Sequence, residues 1–291
     1  MKAVLLGTTA GGGFPQWNCA CSLCVRARSG ALPSRSQDCL AISGDGADWW
    51  LVNASPDIRT QITSCSFLDP GPGARETPLR GALFTDAELD HTLGLLTLRG
   101  GKGVTVWAPA PVLRALKDEF DLRTVIDGYA PVAWREAAGS FDLGGLRVTA
   151  IPISGKRPKY ARSSTVDGDW VVAYRFEDPV SGGVLVYAPC LAAWPDGFDE
   201  VVAGADCLLL DGTFHAASEM GSATGSASGQ AAMGHLPITA SLPELRRFPG
   251  VRRLYTHLNN TNPVLDPSSP EAVELHEAGV EVPLDGTVIE L

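Results

Sequence analysis

Three segments of the chain end apolar runs in side chains able to hold a metal ion. Thr85-Asp86-Ala87-Glu88-Leu89-Asp90-His91 closes the run over residues 81–85 with carboxylates at alternating positions and then an imidazole. Leu208-Leu-Leu-Asp211 ends a fully apolar run in a carboxylate, and a buried carboxylate is costly unless a cation or hydrogen-bond donors accompany it. Arg253-Leu-Tyr-Thr-His257 ends another run in an imidazole. Imidazole nitrogen and carboxylate oxygen suit zinc and other first-row metals. His91 and His257 are accordingly read as ligands, against the alternative of a solvated acidic turn at 85–91. His235 sits in Met233-Gly-His-Leu-Pro237, after the small-residue stretch 221–229, which reads as a flexible lid or entry loop. It could be a ligand, an acid/base group or the group that orients a ligand. His215, four residues past Asp211, could face the same pocket, whereas His276 falls on a surface helix.

Cys19-Ala-Cys21-Ser-Leu-Cys24 gathers three thiols too tightly for a mutual disulfide framework and well for one zinc ion. The segment reads as a loop without regular hydrogen bonding, to which zinc would give a fixed shape; spacing does not reveal the fourth ligand. Cys39, Cys65, Cys190 and Cys207 stand singly among apolar neighbours and read as core thiols. Gly11-Gly-Gly13 lacks the lysine and following helix of a phosphate-binding loop, which excludes a nucleotide site.

The elements that must position these groups follow from periodicity. Strands are expected at residues 2–6, 39–43, 49–54, 81–85, 104–108, 146–153, 170–176, 184–188, 206–211 and 253–257. Helices are expected from Ser55-Pro56-Asp57 onward, with a serine cap and proline at the first position, and at 92–98, 112–122, 242–247 and 270–278. Hairpins alternating with helices in both halves indicate an α+β fold: two mixed sheets packed face to face, helices outside, ligands converging at one edge.

The 291 residues, 45% hydrophobic and 19% charged, support a sizeable core. No linker divides them, so one domain over 1–291 is expected. A net charge of −10 without a basic stripe argues against nucleic acid and membrane surfaces as partners. The N-terminal apolar run is too short for a signal peptide, which makes a cytoplasmic protein the expectation. A homodimer is compatible with the sequence.

Taken together, Gly11-Gly-Gly-Phe-Pro-Gln-Trp-Asn-Cys19-Ala-Cys21-Ser-Leu-Cys24, Asn53-Ala-Ser-Pro-Asp-Ile-Arg59, Thr85-Asp-Ala-Glu-Leu-Asp-His-Thr-Leu-Gly-Leu96, Met233-Gly-His-Leu-Pro237 and His257-Leu-Asn-Asn-Thr-Asn-Pro263 resemble the coenzyme PQQ biosynthesis protein B family of the metallo-β-lactamase superfamily. The likeness runs in order through nearly the whole chain. It implies a four-layer αββα sandwich. The superfamily's binuclear loop reads His-x-His-x-Asp-His, and Asp86 and Glu88 replace its first two histidines, which disables one metal position. The other retains Asp90, His91, Asp211 and His257. Ferrous iron there is implied by the resemblance; zinc suits the ligand types almost as well.

The implied activity is hydroxylation of the tyrosine ring of a Glu-Tyr dipeptide by iron and dioxygen. On this reading Asp90 and His91 belong to the catalytic centre and His235 manages proton transfer. Asp57, Arg59, His215 and Lys156, the last in a basic cluster with Arg157 and Lys159, are candidates for substrate contact. A similar three-cysteine zinc loop in phosphodiesterases of phosphonate breakdown is completed by a histidine where this chain has Asn260, so Asn260, water or another oxygen would complete the zinc here. Departures over 214–230, notably His215, leave open a paralogue acting on another aromatic substrate. A zinc hydrolase, either phosphodiesterase or thioesterase, and a non-enzymatic PQQ carrier are the competing readings; Asp86 and Glu88 weigh against the hydrolase.

Overall fold

The computed structural model describes residues 1–101, 103–219 and 233–291. The expected entry loop at 221–229 lies outside them. Contacts gather the chain into two compact units, Met1–Leu6, Cys39–Gly183 and Gly286–Leu291 in one, Gly7–Asp38 and Val184–Asp285 in the other.

In the first unit, β1 (Lys2–Gly7), β2 (Cys39–Ser43), β3 (Trp49–Val52), β4 (Leu79–Leu83), β5 (Thr105–Ala108), β6 (Ala133–Glu136) and β14 (Val288–Glu290) form one sheet, ordered β14-β1-β2-β3-β4-β5-β6. β14 is antiparallel to β1 and β2 to β3, while β3 through β6 run parallel. Parallel neighbours need crossovers. These are α2 (Ile58–Thr63), then α3 (Leu89–Thr92) with a 3-10 helix at Leu93–Gly100, then α4 (Ala110–Asp118) and α5 (Leu122–Asp127). Gly81 lets β4 and β5 approach: a Cβ there would stand 1.9 Å from the Thr105 carbonyl oxygen. β7 (Ser140–Leu143), β8 (Leu146–Ser154) and β9 (Val171–Glu177) make an antiparallel meander. Its first turn is Gly144-Gly145, with φ of 53° and 85°, the tight hairpin that glycine permits.

The second unit is a parallel ladder of β10 (Val184–Ala188), β11 (Cys207–Asp211), β12 (Arg252–Thr256) and β13 (Val280–Glu281). Its crossovers include α6 (Phe198–Ala203), α7 (Ile238–Leu245) and α8 (Pro270–Glu277). All five β11 residues are buried, so the run is continuously apolar rather than alternating, as in parallel sheets covered on both faces.

Three expected helices take another form. The helix expected at 92–98 is one α-turn followed by 3-10 structure, because the Gly94 N–H donates to the Ala54 carbonyl (2.9 Å) and leaves the α-helical ladder. The helix expected at 112–122 divides at Asp121, which adopts φ 54°. Ser55 does not cap the helix expected from 55: α2 begins at Ile58, and the Ser55 hydroxyl accepts the Asp57 N–H (3.2 Å) and donates to Gln61 Oε1 (2.9 Å).

Candidate metal centre

β10, β11 and β12 lie side by side, and their carboxyl ends carry the site, the usual ligand edge of a parallel sheet. Ala188 is in register with Leu210 and Asp211 with Thr256. Cys190, Asp211 and His257 therefore leave the sheet at one edge. His257 takes φ 56°, a conformation that costs a non-glycine residue about 1–3 kcal/mol and that recurs at functional positions.

Asp211 is fully buried and accepts four hydrogen bonds. Oδ1 receives the Thr213 N–H (3.0 Å) and hydroxyl (2.6 Å); Oδ2 receives the Leu191 N–H (2.7 Å) and His235 Nδ1 (2.7 Å). A carboxylate has about four acceptor positions, so this one is filled. Burial by itself would raise the Asp211 carboxyl, but His235, His257 and the Leu191 N–H more than offset it and hold it below the usual range. Thr213 spends its only hydroxyl hydrogen on Asp211 and so accepts at Oγ1 from His257 Nδ1 (2.8 Å). Both imidazoles then carry hydrogen on Nδ1 and present Nε2 as the lone pair, the arrangement that aims a ring at a metal or a proton. The rings stack with centroids 5.2 Å apart. Ligand atoms of Asp211, His235 and His257 all lie within 4.8 Å of one another. Beyond His257, the Asn259 N–H donates to the Thr213 carbonyl (2.9 Å) and the Asn262 amide to the Gly212 carbonyl (2.8 Å). The Asn-Asn-Thr-Asn run thus ties the His257 turn to the Asp211 turn.

In the first unit, Asn53 ends β3 with φ 65° and accepts the Thr85 N–H at Oδ1 (3.0 Å), pinning the exit of β4. The Ala54 N–H reaches the His91 carbonyl (2.6 Å). Asp86 contacts His91 Nδ1 at 2.8 and 2.9 Å through its two oxygens, which selects Nε2 as the ligating nitrogen. Burial opposes ionisation of Asp86, but His91, the Glu88 N–H and the Thr85 hydroxyl hold its carboxyl down at about 2. Asp86, read from sequence only as a lost ligand, positions the histidine. Asp90 is half-buried on α3 beside it.

The three thiols of Cys19, Cys21 and Cys24 lie within 4.8 Å of one another. The expectation of a loop without regular bonding is corrected here: α1 (Ser22–Arg28) begins inside the segment, and Cys21 caps it, its sulfur accepting the Cys24 N–H (3.5 Å). Asn260 Nδ2 approaches Cys24 Sγ at 3.3 Å. So oriented, its amide donates to sulfur and has no nitrogen lone pair for a metal. Burial and the adjacent thiols push Cys21 up to about 11, a crowding that a bound cation relieves.

A model of the β-lactamase superfamily domain matches residues 48–258. Coenzyme PQQ synthesis protein B of Pseudomonas fluorescens (strain SBW25) is 40% identical over 305 aligned positions, covering 100% of both chains. The chain belongs to the coenzyme PQQ synthesis protein B family. The crystal structure of Zn(2+)-bound PqqB from Methylobacterium extorquens superposes with a TM-score of 0.92 at 34% identity over 100% of each chain. The fold class expected from sequence therefore holds, two mixed β-sheets flanked by helices in the metallo-β-lactamase manner. A diphosphatase of the PhnP family, 21% identical with a TM-score of 0.71 and 100% and 98% of the two chains covered, shares the fold.

Within this member of the PqqB family, each remaining expected substrate residue has its own local setting. Arg59 is exposed on α2 and Asp57 half-buried at its start. Lys156 pairs with Glu88 (3.2 Å). The His215 N–H donates to Glu219 Oε2 (2.6 Å). Sequence reasoning missed Thr213, whose type signals nothing until the strand ends are aligned. Among the described residues no helix is long and apolar enough to cross a membrane.

Proposed function

We propose that the chain is a metal-dependent hydroxylase of PQQ biosynthesis acting on the tyrosine ring of a Glu-Tyr dipeptide, with His235 as its proton-transfer group. The observation that carries this reading is the Asp211–His235 contact of 2.7 Å at the carboxyl edge of a parallel sheet, beside His257. A buried carboxylate on Nδ1 fixes the tautomer and stabilises the imidazolium formed when Nε2 takes a proton, the logic of a base with an orienting acid. Asp211, expected among the ligands, is assigned this orienting role because its acceptor positions are filled.

The donors fit a first-row transition metal: imidazoles held in one tautomer, with carboxylate and thiol nearby. His257 would hold the ion through Nε2, and the sequence reading adds Asp90 and His91. Ferrous iron, when bound, supplies the activation of dioxygen. Each hydroxylation replaces a ring C–H by C–OH with one oxygen atom of dioxygen. It sends the other to water and consumes two protons and two electrons from an added reductant. His235 accepts the phenolic proton at Nε2 and returns it to solvent. Cys19, Cys21 and Cys24 hold a structural zinc, with Asn260 donating to coordinated sulfur. Seven free cysteines accord with a reducing, cytoplasmic setting.

The test is anaerobic reconstitution with ferrous iron, then dioxygen, reductant and Glu-Tyr, with mass spectrometry of the product. An iron-dependent gain of one or two oxygen atoms is expected. Unchanged dipeptide with iron bound would overturn the substrate, and phosphodiester cleavage by the zinc-loaded chain would replace the reaction class.

A further inference from the structure

Cys190 differs from Cys39 and Cys207 in where its backbone holds it. Cys39 lies inside β2 with its thiol donating to the Asn53 carbonyl (3.2 Å), and Cys207 lies inside β11. Cys190 stands two residues past the end of β10, 8% exposed, at the edge that carries Asp211 and His257. Its successor is fixed by function: the Leu191 N–H donates to Asp211 Oδ2, the oxygen that also receives His235 Nδ1. The carboxylate that orients the proton-transfer histidine thereby sets the backbone beside the thiol. Cys190 Sγ and a ring nitrogen of His257 lie within 4.8 Å of each other. An ion bonded at ~2.3 Å to sulfur and ~2.0 Å to nitrogen spans up to about 4.3 Å between its donors, so one ion reaches both with little side-chain movement.

We infer that Cys190 is a thiolate ligand of the ion held by His257. The inference rests on the proposed metal at that site and adds a donor that neither the fold nor the motifs assign. A thiolate turns an oxygen-and-nitrogen site toward softer ions such as zinc, cobalt and copper(I) and away from magnesium or manganese. It also makes the centre sensitive to thiol oxidation.

The experiment uses the full chain saturated with cobalt(II), read by cobalt stoichiometry and by thiolate-to-cobalt charge-transfer absorption. The wild type should bind two ions with the intensity of four thiolates. Cys190→Ser and Cys190→Ala should each lose about a quarter of it, one thiolate in four. Bands from Cys19, Cys21 and Cys24 persist in both variants and report that the fold is intact. Two ions bound with equal intensity in wild type and both variants would overturn the inference alone. A single ion with three-thiolate intensity in every protein would overturn the inference together with the metal reading beneath it.

Discussion

Thr213→Val tests whether the threonine hydroxyl is the hinge of the histidine network. Valine matches the shape but removes the donor to Asp211 Oδ1 at 2.6 Å and the acceptor for His257 Nδ1 at 2.8 Å, both in a residue 3% exposed. A hydrogen bond to a charged group contributes about 1.5–3 kcal/mol, and a buried N–H left without an acceptor costs about 1–3 kcal/mol. Asp211 keeps three donors, so the loss falls near the lower end of that range, about 3 kcal/mol in the metal-free chain. That is within the 5–15 kcal/mol typical of folded domains, and the variant should remain folded. Loss of the group that orients a ligating histidine commonly lowers metal affinity about 10–100-fold. Urea unfolding of the metal-free proteins gives the first quantity and competition against a chromophoric chelator the second; Thr213→Ser should restore most of both. Wild-type unfolding and wild-type affinity in Thr213→Val would refute the network as an organising device.

Other outcomes follow from the same geometry. His235→Asn and Asp211→Asn should lower turnover of Glu-Tyr by about 10²–10⁴ while retaining the bound ion; loss of the ion in Asp211→Asn would make Asp211 a ligand instead. His91→Ala should abolish iron binding and spare the cysteine-held zinc, and Asp86→Asn should weaken iron about 10–100-fold by freeing the ring it orients, both read by metal analysis. The guanidinium of Arg26, with Ser268, holds the Asp266 carboxyl at about 2, below its ordinary 3.8. Because the folded value is the lower one, the ion pair's contribution is complete above pH ~5 and lost progressively as pH falls through the folded value toward pH ~1. Arg26 is 42% exposed, so water screens the pair and Arg26→Ala should lower stability only slightly at pH 7. The loss should shrink to a small fraction of that at pH 2 and vanish near pH ~1; an equal loss at pH 7 and pH ~1 would trace it to packing.

The strands of the parallel ladder were legible because they are short apolar runs ended by punctuating residues, as at 184–188. β6 and β7 were not, since Ala133–Glu136 is largely exposed and Ser140–Leu143 mixes polar and apolar residues too briefly to mark a period. Several motif residues hold the backbone in ways their types do not announce. Ser55-Pro56-Asp57 reads as a helix cap and Asp57 and Arg59 as substrate contacts, yet in the same segment Asn53 pins Thr85, and Gly94 is glycine because a Cβ there would meet the Ser55 carbonyl oxygen at 2.1 Å. Distance along the chain hid the rest. Thr213 lies 44 residues from the histidine whose Nδ1 it accepts, and Cys190 resembles any core thiol until β10 and β12 are seen to flank β11.

The pairing of β1 with β14 joins residues 2–4 to residues 288–290. On a ribosome adding about 5–20 residues per second, the first strand waits on the order of tens of seconds for that neighbour. Throughout the wait Ala3, Val4 and Leu5, nearly solvent-free in the finished protein, stand along an open backbone edge, the kind of surface that recruits other chains. Yield in a cell should therefore respond to translation speed and chaperone supply, and loss of the last few residues should harm solubility more than their size suggests.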